Sequence, residues 1–371
     1  MEIFIKNNYE SVINVVKELC NIPAPSHNEE KRAQYCKEWL ENIGAKGVYV
    51  DEALNVVYPV NCENSNEITV IEAHMDTVFP DTEPMPCIDD GEKIYSPGVG
   101  DDTACVSVLL HTVKYLLENK IVPEKGILFV CNSCEEGLGN LKGTKQIFKD
   151  FSDRVKNFVS LDARIDTVYG DCVGSHRYEV EVLTEGGHSY SKFGNKNAIS
   201  ELAKIINEIY NIKVPEKEGK KVTYNVGEIS GGTSVNTIAQ QAKMLCEYRS
   251  DDKECLEIMK NKFSEIFEKA NTDDVKVNVT LLGERPCSAL SYEEHSKFIT
   301  RVVSVVEEVL KEKVQVKTAS TDGNIPLSLG IPAVAVGSYI GGGSHTREEW
   351  IEKESLKKGL EIAIKVILEL I

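Results

Sequence analysis

The spacing of hydrophobic positions changes along this chain, and each change predicts a different piece of architecture. From Tyr9 to Leu40 apolar residues recur at helical intervals, interrupted by Pro23 and Pro25, which cannot continue a helix. Val48–Val50 and Asn55–Tyr58 read as strands, and Ile68–Ala73 as a buried strand that delivers His74 at its end. Thr103–Asn119 predicts an apolar helix starting just after the acidic pair Asp101-Asp102. Gly126–Asn132 and Asn157–Leu161 predict two more strands, leading to Glu135-Glu136 and to Asp162. Strands alternating with helices predict an α/β layer architecture, in which ligands gather at strand ends.

After about Val173 the period shifts. Arg177–Thr184 alternates as a half-exposed strand, Asn197–Tyr210 is helical, and Val214–Lys221 is rich in Lys, Glu and Gly. Strands at Val222–Glu228 and Ala242–Arg249 follow, then a helix at Glu254–Ala270 and a strand at Val275–Leu282. The order βαββαβ is that of a split βαβ sandwich. It predicts an α+β domain at 174–283 inserted into a first domain made of 1–173 and 284–371. The α/β pattern resumes with a helix at His295–Lys311 and a strand at Ile331–Val336. A flexible glycine loop at Gly341–Ser344 and a closing helix at Ser355–Ile371 complete the chain.

Length and composition narrow the classes. A chain of 371 residues suits two domains, and its 42% apolar content supplies a sizeable core. A formal net charge of −17 argues against nucleic-acid binding, which favours clustered Lys and Arg. The start M-E-I-F-I-K-N-N-Y-E has no apolar core of a signal peptide, and no stretch approaches the roughly 18 apolar residues of a membrane span. Eleven cysteines without the rhythm of a small disulfide scaffold read as buried thiols in a reducing cytoplasm. The expectation is a cytoplasmic protein.

Its candidate chemistry lies in five residues expected where strands end: His74 in I-E-A-H-M-D, Asp101 in G-V-G-D-D, Glu136 in C-E-E-G, Asp162 in S-L-D-A-R and His345 in G-G-S-H-T. Two imidazoles and three carboxylates suffice for a pair of zinc-type ions when one carboxylate bridges them. Asp76 can fix the His74 tautomer, although an H-x-D triplet alone is more often incidental. Gly98-Val99-Gly100-Asp101-Asp102 lacks the third glycine of a dinucleotide fingerprint and the Gly-Lys-Ser/Thr of a phosphate loop. Two carboxylates ahead of a helix would repel phosphate, so metal is the better reading. In Glu135-Glu136 one residue can hold metal while the other moves protons. Cys131 and Cys134 lack the second ligand pair of a structural zinc knuckle and read as core.

These residues, in this order, resemble the co-catalytic zinc peptidases that include peptidase T, carnosinase-type dipeptidases, glutamate carboxypeptidases, aminoacylase and acetylornithine deacetylase. The resemblance covers nearly the whole chain. It implies an α/β catalytic domain, with a mixed central sheet flanked by helices, and an inserted α+β lid through which two chains dimerise. It also implies His74 and Asp162 on one metal, Glu136 and His345 on the other, and Asp101 bridging, with a cis peptide at Asp101-Asp102. Glu135 would be the general acid/base and Asp76 the buttress of His74. In the lid, His188 of Gly187-His188-Ser189 would reach the substrate carbonyl, often from the partner subunit. Asn236 of S-V-N-T-I and Arg249 of E-Y-R-S would bind the substrate's carboxylate end. Aspartate at position 162 resembles the aminopeptidase and dipeptidase side of the family, as does Ser320-Thr321-Asp322-Gly323-Asn324-Ile325-Pro326, otherwise a plain Asp-Gly turn.

The implied activity is exopeptidase cleavage of short peptides with two divalent ions, zinc first and cobalt or manganese as alternatives. A metal-bridged hydroxide would attack the scissile carbonyl, with Glu135 as base and then acid. An N-acyl-amino-acid deacylase would use the same centre on a different amide. A catalytically silent metal- or peptide-binding protein is the reading from another class, and it has no need of Glu135.

Overall fold

The computed structural model describes residues 1–370, with side chains at every position except Tyr292 and Glu294. Its backbone contacts part into two compact units, Met1–Cys172 with Ala289–Ile371, and Val173–Ser288. Position 371, the last residue of the expected closing helix, lies outside the described residues.

The first unit is built on an eight-stranded mixed sheet. Its strands run in the order Tyr49–Val50, Val56–Val60, Gly126–Asn132, Ile68–His74, Val155–Ser160, Ala333–Val336, Thr167–Cys172 and Gln315–Ala319. Every residue of Ile68–His74 and of Gly126–Asn132 is buried, as expected of strands covered on both faces. Alternation sends neighbouring side chains into opposite layers. Ile71 and Phe129 pack under the helices Glu2–Cys20, Cys105–Glu118 and Ser355–Leu370, while Val70 and Leu128 meet Ile147 and Phe148 of the helix Lys142–Phe151. Three central strands are parallel and in step, with His74 opposite Asn132 and Glu72 opposite Ser160. Residues just beyond those ends therefore converge on one edge.

Not all the expected strand-end residues arrive by a strand. Asp101 lies in the kinked turn Val99–Ala104 ahead of the helix Cys105–Glu118, and the Asp101-Asp102 peptide is cis. The glycine run is also different from the expected flexible loop. Gly341–Gly342 pairs with Trp350–Ile351 in a small sheet with Lys93–Tyr95 and Ile88–Asp89. A Cβ on Gly341 would lie 2.4 Å from the Trp350 carbonyl oxygen, so glycine here serves close approach.

The second unit is an antiparallel four-stranded sheet in the order Val222–Gly231, Gln241–Ser250, Gly174–Leu183 and Lys276–Arg285. Alternate residues Val180, Val182, Met244 and Cys246 pack on Leu202 and Ile205 of the helix Ala198–Tyr210 and on Met259 and Phe263 of Lys253–Ala270. Both helices start on side-chain caps, Asn197 accepting from Ile199 N–H and Asp252 from Cys255 N–H. Gly187–His188 pairs with Thr237–Ile238 in a separate two-stranded ladder. No described helix is long and apolar enough to cross a membrane.

One packing contact tests the first unit's layering. A Cβ on Gly359 would lie 1.8 Å from the Ser338 carbonyl oxygen, where the closing helix crosses the chain beyond Ala333–Val336. Gly359→Ala is expected to destabilise the fold by about 1–3 kcal/mol through overpacking. The midpoint of urea unfolding reads it; an unchanged midpoint would contradict this packing.

Candidate metal centre

The centre begins with His74, whose ring is buried at the end of its strand. Its Nδ1 faces the Asp76 carbonyl at 3.1 Å and an Asp76 carboxylate oxygen at 3.4 Å. Both are acceptors, so Nδ1 carries the proton and the Nε2 lone pair points the other way. That lone pair faces Asp101 Oδ1 at 3.1 Å. The second Asp101 oxygen lies 3.3 Å from His345 Nε2, which is also 3.4 Å from Glu136 Oε1. A neutral imidazole lone pair and a carboxylate oxygen repel at such distances unless a cation lies between them. A second proton or a metal ion fills that role, and this donor set suits a metal ion.

The electrostatics are those of protons standing where a stronger cation fits. Burial disfavours a charged His74, yet its hydrogen bonds to Asp101 and Asp76 hold its pKa well above the ordinary value. Hydrogen bonds to Asp101 and Glu136 push His345 up to about 10. Burial, then the Asp101 charge, pushes Glu136 up to about 7. Asp101 goes the other way: burial opposes its ionisation, but the two imidazoles hold it well below the carboxylate range. Burial raises Asp162.

Potential ligand atoms within 4.8 Å of one another form three groups: Asp101, Glu136 and His345; His74, Glu135 and Glu136; His74, Asp102 and Asp162. The first is the complete set expected for one ion, and the third brings Asp162 to His74. Asp102, not foreseen as a ligand, stands in that third group, but one of its oxygens already accepts the His74 backbone N–H at 3.0 Å.

Asp76 does more than orient His74. Its two carboxylate oxygens accept the backbone N–H groups of Glu135 at 2.9 Å and Glu136 at 3.0 Å, and Ser26 Oγ donates to it at 2.7 Å. The same side chain thus sets the imidazole and the turn that carries both glutamates. Cys131 and Cys134 are buried free thiols. Asp322 belongs to no plain turn: fully buried, it accepts from Asn132 and Thr144 behind the strand ends, and burial lifts its pKa to about 7.

Besides Ser26 and Asp102, two further residues escaped the sequence reading. Arg32 is buried beneath the centre and donates from Nη1 to the Met75 carbonyl at 2.7 Å, between His74 and Asp76. Glu349 accepts three backbone N–H groups, those of Gly98, Gly100 and Asp101. Neither carries a local signal, because each sits in an ordinary charged stretch, E-E-K-R and R-E-E-W.

Within the second unit, the main chains at His188 and Asn236 lie side by side. His188 pairs with Thr237, and Ser189 N–H donates to the Asn236 carbonyl at 2.9 Å. Tyr190 and Ser191 N–H groups donate to His188 Nδ1 at 3.2 and 3.4 Å, so a neutral His188 presents Nε2–H as a donor. Arg249 stands elsewhere, opposite Ser175, with its guanidinium fork on Glu247 at 2.7 and 2.9 Å.

A parallel-strand edge that gathers two imidazoles and several carboxylates around Asp101 presents a donor set of the kind metallohydrolases use. The chain belongs to the peptidase family M20/M25/M40, whose sequence pattern matches residues 70–369. It is 23% identical to the succinyl-diaminopimelate desuccinylase of Corynebacterium glutamicum, over 93% of this chain and 92% of that one. The fold is similar to that of a tripeptidase from Staphylococcus aureus, with TM-score 0.74 and 24% identity over 97% of this chain and 98% of that one. It is also similar to the Bacillus subtilis YXEP protein, a dinuclear metal-binding peptidase, with TM-score 0.65 and 16% identity over 98% and 99% of the two chains.

The proton positions predict a pH dependence for metal uptake. A ligand must be unprotonated to bind, so groups with raised pKa surrender protons to the ion. At pH 7 the metal-free protein holds a second ring proton on His74, raised well above its ordinary value, and on His345, raised to about 10, while Glu136, raised to about 7, is partly protonated. Loading with zinc at pH 7 is expected to release about two or more protons per chain, and affinity should fall as pH drops from 8 to 6. Calorimetric titration in two buffers of different ionisation heat counts the protons; identical heats would contradict the assignment.

Proposed function

We propose that this protein is a metal-dependent exopeptidase that hydrolyses short peptides, as a di- or tripeptide aminopeptidase does. The observation that carries the reading is the Asp101 carboxylate, with one oxygen toward each of two imidazoles, and Glu135 grouped beside His74 and Glu136. His74 and Asp162 hold one divalent ion and Glu136 and His345 the other, with Asp101 shared. Zinc suits this set, with cobalt or manganese as alternatives. Similarity to a dinuclear metal-binding peptidase supports two ions. When bound, the ions polarise the scissile carbonyl and acidify a water.

The chain's own residues supply the remainder. Glu135 takes the water's proton and returns it to the departing amine. His188 donates its Nε2–H to the oxyanion that develops on the carbonyl. Asn236 and Arg249 bind the carboxylate end, for which Arg249 must share or exchange its Glu247 partner. Eight residues of strand separate Arg249 from Gln241, the end nearest His188 and Asn236, or about 27 Å at 3.4 Å per residue. An extended tripeptide spans about 10 Å. One substrate therefore does not touch both ends of one lid. A homodimer in which His188 and Asn236 come from one chain and Arg249 from the other would accommodate this separation.

Aspartate at position 162 and similarity to a tripeptidase favour a peptide substrate. Similarity to a succinyl-diaminopimelate desuccinylase favours the second reading, an N-acyl-amino-acid deacylase. Zinc-loaded protein offered a tripeptide, its N-acetylated form and an N-acetyl amino acid separates them. Cleavage of the free-amine peptide alone is expected; preference for the acetylated compounds would move the chain to the deacylases. Glu135→Gln should lower kcat by about 10²–10⁴-fold at unchanged metal content. Undiminished turnover by that variant would remove Glu135 from the mechanism, and no turnover by the parent would favour a silent binding protein.

A further inference from the structure

The proposed centre draws its ligands from separate stretches of chain, and two of these meet through a residue to which no role has been given. Glu349 follows His345 by four positions and is 1% exposed. Its Oε1 accepts the N–H groups of Gly100 at 3.0 Å and Asp101 at 2.9 Å, and its Oε2 that of Gly98 at 2.6 Å. Its own carbonyl accepts Ser96 N–H at 3.0 Å. Burial and the Asp101 charge raise the pKa of Glu349 to about 8 against the pull of its three amide donors, and those three hydrogen bonds fix the main chain from which the Asp101 side chain hangs.

The surroundings leave that turn little room. Gly98 has φ +72°, and a Cβ there would meet Thr77 at 2.5 Å. A Cβ on Gly100 would meet the Tyr339 ring at 2.6 Å and Glu349 itself at 2.9 Å. His345, by contrast, is 58% exposed at its side chain, and its ring faces the Asp101 and Glu136 carboxylates. Its loop is tied to the rest of the unit on one side by the Arg347–Asp81 pair, which is half exposed and therefore weak. On the other side the loop is held by the buried Glu349 and by the pairing of Gly341–Gly342 with Trp350–Ile351, of which only Glu349 reaches the Asp101 turn through its side chain.

We propose that Glu349 is a positioning residue that locks the His345 loop to the Asp101 turn and so forms the Asp101, Glu136 and His345 ion position. The inference rests on the two-ion reading of the centre and adds the residue that assembles one half of it. Glu349 touches neither ion nor substrate. It acts by fixing the distance between two ligands that different stretches of chain deliver.

The test is zinc binding by metal-free protein, followed by calorimetry and by metal analysis after gel filtration, for the parent, Glu349→Ala and Glu349→Gln. The parent should retain two ions per chain. Glu349→Ala should weaken one ion by about 10–100-fold, the effect expected when a group supporting a ligand is lost, and retain one. Glu349→Gln should fall between, because its amide oxygen can still accept from Gly100 and Asp101 while its amide nitrogen cannot accept from Gly98. Circular dichroism of the metal-free proteins checks folding, and if Glu349→Ala does not fold, the Gln variant decides. Variants that keep two ions at parental affinity overturn the proposal, even if they melt earlier, because a purely structural role lowers stability without singling out one ion. A parent that binds fewer than two ions overturns the two-ion centre itself, and Glu349's role with it.

Discussion

Asp101 offers one carboxylate oxygen to each of two imidazoles, and around it the first unit buries more negative charge than its own cations can balance. Glu29, Glu72, Asp76, Asp102, Glu135, Glu136, Asp322 and Glu349 are all buried. Among the described residues of that unit, Arg32 is the one buried Lys or Arg, and it donates to main-chain oxygen and Thr103 rather than to a carboxylate. Buried carboxylates that lack counter-charge take up protons, which is the direction of Asp102, Asp162, Glu72 and Asp322. The proposed pair of divalent cations would offset that excess.

The fold meets this electrostatic load with backbone rather than with side-chain cations. Parallel strands in register bring His74, Asp162 and the glutamate turn to one edge, and the carboxylates are held by amide N–H groups. Asp76 accepts from Glu135 and Glu136, Asp102 from His74, and Glu349 from three residues of the Asp101 turn. An amide donor holds a carboxylate in place without adding a positive charge, so it does not oppose the approach of a cation. A Lys or Arg in the same place would compete with it.

Much of this was readable from the chain alone. The ligand strand Ile68–His74 and the strand Gly126–Asn132 declared themselves by buried runs between turn signals, and the βαββαβ order of the second unit by its alternation and helix lengths. The misses share a physical cause. The helix Lys142–Phe151 is short with only three apolar side chains, Ile147, Phe148 and Phe151, and the residues of the strand Gln315–Ala319 are mostly exposed. Asp101 and His345 come from turns whose conformation is set by distant contacts, Glu349 for the one and the Trp350 strand for the other. Gly341 looked like mobility and proved to be close packing. Arg32, Ser26 and Glu349 were invisible because supporting a ligand requires a position in space, which local spacing does not encode. No motif announced that His188 and Asn236 would lie side by side, and the commitment of Arg249 to Glu247 depends on a two-residue separation along one strand.

The central claim is that Asp101 bridges two ions, and anomalous diffraction from crystals of the zinc-loaded protein tests it most directly. The account predicts two peaks about 3.5–4 Å apart, one beside His74 and Asp162 and the other beside Glu136 and His345, with Asp101 between them. A single peak, or a pair that leaves Asp101 unligated, would contradict it.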